Sequence, residues 1–119
     1  MTPAYRLGEI WIANLNPGRG TEPGKVRPVL ILQHQALLDA RHPSTLVVPL
    51  TTQLVDDAAP LRIRVAAQDR LLRDSDLLID QLRAVDNRRL VDGPLCELSA
   101  AYLESVYAAV TEVFGMDPR

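Results

Sequence analysis

A single cysteine, Cys96, a single lysine, Lys25, and a single tryptophan, Trp11, stand in a sequence of 119 residues. One cysteine cannot close an internal bridge, so no disulfide framework holds this fold, and the paired thiols of the usual structural zinc motifs are missing as well. Neither staple is needed: a chain of this length forms one domain, residues 1–119, and buries roughly two thirds of the surface its unfolded form exposes. Apolar runs stay far short of the roughly 20 residues that a membrane span requires. Met1 to Gly8 lacks the apolar stretch of a signal peptide, so the expectation is a reduced, cytoplasmic protein with no membrane partner. Histidine is scarce too. His34 and His42 lie eight apart around a connection, and neither stands beside a glycine-flanked serine, which argues against both a zinc site and a serine–histidine pair.

Charge is present but unevenly placed. The net charge of −2 does not mark a nucleic-acid binder by bulk electrostatics. Residues 1–55 nevertheless carry five cations against three anions, and residues 56–119 eight against twelve, so an anionic ligand is expected at the first half. Asp74, Asp76 and Asp80 match no recognised magnesium loop and are expected to be solvated. Gly18, Gly20 and Gly24 spell G-x-G-x-x-x-G, one residue too long for the dinucleotide fingerprint. A strand follows them, where a phosphate loop needs a helix N-terminus.

Short strands separated by turn chemistry at even spacing predict a mainly β, barrel-like domain. They are expected at 8–15, 27–33, 44–50 and 61–66, with one bent strand or two short ones over 76–86 and a turn at 86–89. "RPVLILQ" is almost continuously apolar and implies burial on both faces. Pro49 cannot donate to a ladder, which puts its end of the third strand at an edge or a bulge. "LRIRVA" alternates, directing Leu61, Ile63 and Val65 inward and Arg62 and Arg64 to solvent. "QALLDARHP" allows at most a short helical connection. From Ser99, an N-cap, Leu103, Val106, Tyr107, Val110, Val113 and Phe114 form one apolar stripe on a helix closed by Gly115.

The stretch "RGTEPGKVRP" carries the chemistry: Arg19, Glu22, Lys25 and Arg27 surround a glycine-rich turn. Proline after Arg27 restricts that arginine to an extended backbone. Its guanidinium therefore projects from a fixed strand start, a geometry suited to a polyanion.

These residues also carry a resemblance. "GEIWIANLNPGRGTEPGKVRPVLILQ" closely resembles the N-terminal signature of the MazF/PemK family of toxin endoribonucleases, "LVVPLTTQ" its strand ending in threonine, and "RDSDLLIDQLRAVDNRRL" its Ser, Gln, Arg and Asp segment. The resemblance covers residues 8 to about 115. It implies an SH3-like antiparallel barrel of the CcdB/PemK type with a C-terminal α-helix, assembled as a homodimer. It further implies the toxin of a type II toxin–antitoxin system that inhibits translation and growth. The implied reaction is sequence-specific cleavage of single-stranded RNA, without metal or cofactor, by 2′-hydroxyl attack that leaves a 2′,3′-cyclic phosphate and a 5′-hydroxyl. A cognate antitoxin is the implied partner, with DNA engaged only indirectly through an antitoxin complex.

Carried over residue by residue, the resemblance implies Arg27, Thr51 and Glu22 as catalytic residues, with the general base left open and Glu22 a candidate for it. Ser75, Gln81 and Arg83 are carried over as substrate-groove residues, and Arg19 and Lys25 are inferred as phosphate contacts. Two departures stand out: Thr21-Glu22-Pro23 replaces the family's Ser-Glu-Gln, which bears on cleavage preference, and Thr52 adjoins Thr51. The alternatives are a CcdB-like gyrase poison and a non-catalytic binding barrel. The first uses a tryptophan near the C-terminus, whereas Trp11 lies in the first strand, where core packing is expected.

Overall fold

In the computed structural model, which describes residues 4–21 and 24–116, the β-rich stretches pair into one antiparallel sheet. The strands are β1 (Glu9–Asn14), β2 (Val26–Ile31), β3 (Ser44–Thr51), β4 (Arg62–Val65), β5 (Ser75–Leu78), β6 (Arg83–Asp86) and β7 (Leu90–Glu97). A short helix, α1 (Gln35–Asp39), joins β2 to β3, and α2 (Ala100–Val113) closes the chain. Strand order is β4-β5-β3-β2-β1-β7, with β6 also paired to β3.

The apolar run of β2 does what its composition predicts. Leu30 and Leu32 belong to a core that also holds Ile10, Val48, Leu50 and Leu77 and is covered by Val106 and Ala109 of α2. Val29 and Ile31 point the other way, into a second cluster with Trp11, Leu15, Val47 and Val85. Trp11 is thus a core residue, its ring edge-on to Tyr5 at 4.8 Å between centroids.

The stretch 76–86 resolves into two strands. Leu50 pairs with Leu77, and unbroken register would put Val47 opposite Asp80; instead Val47 faces Arg83. The three residues taken up form the 3-10 turn Ile79–Gln81. Pro49 lies between the last β6 pairing and the first β5 pairing, so its missing donor falls at this interruption.

Four expectations need correction. Leu61 is half exposed, because it belongs to a turn (its N–H donates to the Ala58 carbonyl at 2.9 Å) and escapes the alternation of β4. Arg62 is only partly solvated, while Arg64 is exposed as expected, and Asp76 is buried beneath the pair. On α2 the stripe that packs is Tyr102, Leu103, Val106, Ala109, Val110 and Val113, whereas Tyr107 and Phe114 are exposed. Lastly, β7 was not expected at all: Gly93-Pro94 interrupts its alternation, and its pairing with β1 is correspondingly shifted between Ile10 and Ile12 and again between Ile12 and Ala13. The helix ends were legible. Ser99 Oγ accepts from Tyr102 N–H at 3.1 Å, and Gly115 (φ +76°) terminates α2 with Met116 N–H donating to Thr111 O.

Candidate functional site

Arg27 is fixed by its strand and by two carbonyls. Its register partner on β1 is Ala13, and continuing the β2–β3 pairing of Val29 with Pro49 brings Arg27 opposite Thr51, on the same face of the sheet. The guanidinium donates through Nε to the Gly24 carbonyl (2.9 Å) and through Nη1 to the Leu50 carbonyl (3.3 Å). These bonds take Nε and Nη1, on opposite sides of the planar fork, and leave Nη2 to neither carbonyl. Partial burial lowers the Arg27 pKa, and the guanidinium stays a cation at neutral pH.

The root of the β1–β2 loop is locked. Leu15 N–H donates to the Lys25 carbonyl (2.8 Å), and Lys25 N–H to Asn16 Oδ1 (2.7 Å). Arg89 Nη1 clamps the carbonyls of Asn14 and Asn16 at 3.0 and 2.7 Å. Gly24 and Gly18 touch through their backbones: a Cβ on Gly24 would lie 2.6 Å from Gly18 N, so only glycine fits.

Around Arg27 opens a cleft of about 540 Å³ lined by Lys25, Thr51, Thr52, Gln53, Arg62 and Ser75, among others. Thr51 ends β3, half-exposed, and its hydroxyl accepts from Gln53 N–H at 3.2 Å, so the hydroxyl proton remains available to a ligand. Thr51 pairs with Asp76 on β5, and Asp76 with Arg64 on β4, so one row runs across four strands: cation, hydroxyl, carboxylate, cation. Burial by itself pushes the Asp76 carboxyl up, but hydrogen bonds from Arg64, the Val55 N–H and Arg62 outweigh it and hold the group below the usual carboxylate range. Such a surface offers donors to a phosphate: the guanidinia of Arg27 and Arg62, the Lys25 ammonium and the threonine hydroxyls.

The model of the family described as "PemK-like, MazF-like toxin of type II toxin-antitoxin system" matches residues 6–114. The chain belongs to this family. Endoribonuclease EndoA of Bacillus subtilis is 34% identical over 88 residues, 73% of this chain and 75% of that protein. The fold matches the crystal structure of MazF from Deinococcus radiodurans with a TM-score of 0.79 at 23% identity, over 97% of this chain and all of that one. It matches the MazE–MazF crystal structure from the same organism at 0.75 and 23%, covering 98% and 100%. At such identities the two structures speak for the fold alone.

The family match takes in every candidate residue, and the structure gathers some of them. Arg27, Thr51, Lys25 and Ser75 line the one cleft. Ser75 is buried, and its hydroxyl donates to the Arg73 carbonyl at 3.0 Å. Arg19 is exposed on the loop. Gln81 sits in the 3-10 turn and Arg83 opens β6, and neither lines the cleft. Glu22 lies outside the described residues. His34 stands away from this chemistry: its Nδ1 caps α1, accepting from Ala36 N–H at 3.0 Å. Arg62, Gln53 and Asp76 were missed as site residues. The signal was an arginine pair at alternate positions of one strand and an aspartate in the next, which takes on meaning only once β4–β5 register is known. Among the described residues, no group of three or more His, Cys, Asp or Glu is placed to hold a metal ion, and no helix is long and apolar enough to cross a membrane.

Proposed function

We propose that this chain is the toxin of a type II toxin–antitoxin system and acts as a metal-independent, sequence-specific endoribonuclease on single-stranded RNA. The observation that carries the reading is the doubly anchored Arg27 guanidinium set opposite Thr51 on one wall of an open cleft. The endoribonuclease name of the B. subtilis relative supports the activity, and the MazE–MazF complex of D. radiodurans supports a cognate antitoxin as partner.

In this reaction the ribose 2′-oxygen forms a bond to the adjacent phosphorus and the bond from phosphorus to the 5′-oxygen breaks, giving a 2′,3′-cyclic phosphate and a 5′-hydroxyl. Negative charge grows on the non-bridging oxygens as the new bond forms. Arg27 stabilises that charge and is the candidate donor of the proton to the departing 5′-oxygen, and Thr51 donates to a phosphate oxygen. The 2′-proton leaves to a base that is left open, with Glu22 the candidate from the family resemblance. Lys25, Ser75, Gln81, Arg83 and Arg19 are proposed along the strand's path. The protein works in the cytoplasm, and homodimerisation through its own fold completes the reading.

The test is cleavage of a single-stranded RNA in excess EDTA with mapping of both new ends. Cyclic phosphate and 5′-hydroxyl ends are expected; a strict magnesium requirement with 5′-phosphate products would overturn the mechanism. Arg27→Ala is expected to lose about 10²-fold in single-turnover rate, the scale of removing one oxyanion donor, while His34→Ala retains most activity.

A further inference from the structure

The cleft has a second cationic wall. Arg62, on the edge strand β4, is three strands away from Arg27 in the order β4-β5-β3-β2 and two residues off its row, where Arg64 stands, which at about 4.8 Å per strand and about 3.3 Å per residue sets their backbones roughly 16 Å apart. Its Nη1 donates to the Gln53 carbonyl at 2.8 Å and to Asp76 Oδ2 at 3.3 Å. Both bonds use the same nitrogen, so the Nε and Nη2 edge of the fork is left by them for a ligand. Arg64 is spent differently: Nε binds Asp76 at 2.6 Å and Nη2 binds Asp56 at 2.8 Å, a carboxylate for each end of its fork. Asp76 itself is buried although its row faces the cleft side, and its Oδ2 also accepts from Val55 N–H at 2.9 Å, pinning the segment that follows Thr51.

We infer that Arg62 binds a second backbone phosphate of the RNA strand, next along from the one held at Arg27, and that Asp76 is the residue that positions it. The inference rests on the ribonuclease reading and adds a contact to it. A guanidinium tethered at one nitrogen to a buried carboxylate loses little further freedom on binding, so its remaining edge meets an anion pre-organised. Arg64 also bonds Asp76, with Asp56 on its other nitrogen, so the carboxylate orients Arg62 while part of its charge is already met. The chemistry recognised is a phosphodiester, independent of base.

The experiment measures binding of an RNA whose reacting 2′-hydroxyl is replaced by hydrogen, across a salt series, together with cleavage of the matching RNA. Arg62→Ala is expected to weaken binding about tenfold, the scale of a charge-assisted hydrogen bond, and to flatten the slope of log affinity against log salt by about 0.7, one phosphate of a single strand. Single-turnover kcat should stay near wild type and Arg62→Lys should recover the slope. Arg88→Ala, which removes an exposed guanidinium paired with Asp86, controls for net charge and leaves the slope unchanged. Asp76→Asn should weaken binding in the wild-type background but add nothing to Arg62→Ala. Should Asp76→Asn fail to fold, the wild-type Arg62 side chain decides by nuclear magnetic resonance: hindered guanidinium rotation in the free protein is expected, and free rotation would overturn the positioning role. An unchanged affinity and slope in Arg62→Ala, with wild-type cleavage intact, defeats the inference and spares the ribonuclease reading. Loss of kcat at unchanged affinity would put Arg62 on the reacting phosphate and also defeat it. Arg62-dependent binding without cleavage by the wild type would overturn the ribonuclease reading alone, and no binding at all would overturn both.

Discussion

Replacing Arg27 by lysine keeps the charge and discards the geometry, because an ammonium cannot donate to the Gly24 and Leu50 carbonyls and still present a planar edge to a phosphate. Arg27→Lys is therefore expected to keep most RNA affinity while losing rate, which comparison of KM with kcat would detect. At Asp76 the sign of the pH effect follows from its depressed pKa. The stability it supplies is complete above the unfolded value of about 3.9 and is lost as pH falls through the lower folded value. Urea midpoints taken from pH 6 down to pH 2 should thus fall more steeply for the wild type than for Asp76→Asn. Surface Asp86, held down to about 2 by Arg88, contributes in the same direction in both proteins. Arg27 was legible in the sequence because proline next to it fixes its backbone locally. Asp76 was not: three of its partners come from β4 and from the segment before it, and an acidic residue in a short strand reads as solvated until register buries it.

Among the elements, α2 and the strands β1 to β4 carry their signal in their own residues and were read correctly, whereas β7 was not. α2 announced its cap and its terminating glycine, and Ser99→Ala is expected to cost about 1 kcal/mol, read as a lower denaturant midpoint at unchanged slope. β7 gave no such signal, since Gly93-Pro94 breaks the alternation that marks a strand. Structure supplies the reason for the glycine: a Cβ at 93 would fall 2.5 Å from Cδ2 of the buried Trp11. Gly93→Ala should accordingly destabilise by about 1–3 kcal/mol through overpacking, with a change in tryptophan fluorescence that Ser99→Ala does not produce. The stripe on α2 was overestimated for a related reason. Periodicity names a face, and only the sheet beneath decides how wide a face it covers, which here leaves out Tyr107 and Phe114.

At the scale of the molecule, a sheet with one apolar cluster on each side still leaves large apolar side chains exposed, Val26, Leu72 and Val91 among them, and Tyr107, Phe114 and Met116 stay open at one end of α2. The proposed homodimer is expected to persist at micromolar concentration; sedimentation that finds only monomer over that range would count against it. The mainly β class and the single core-covering helix were legible from composition and spacing. The cleft was legible only in part, because it is assembled from β2, β3, β4 and β5, and no local pattern tells which strands lie side by side.

The locked root of the β1–β2 loop separates the anchoring of Arg27 from the length of the hairpin tip. With Gly18 against Gly24 and Arg89 across Asn14 and Asn16, the chain is closed below the tip, and Arg27, bonded to the Gly24 carbonyl, is anchored at this root. The five residues between the two glycines include Arg19 and Glu22, the proposed phosphate contact and candidate base, so what can drift, lengthen or be exchanged is the chain around those two. Doubling the length of the tip should cost only about 0.6 kcal/mol of loop-closure entropy. A chimera carrying a longer tip that keeps Arg19 and Glu22 should melt close to the wild type and keep its rate per bound substrate while changing which RNA sequences it prefers. Such a division lets one reaction centre serve many specificities, with the hairpin tip as the interchangeable part.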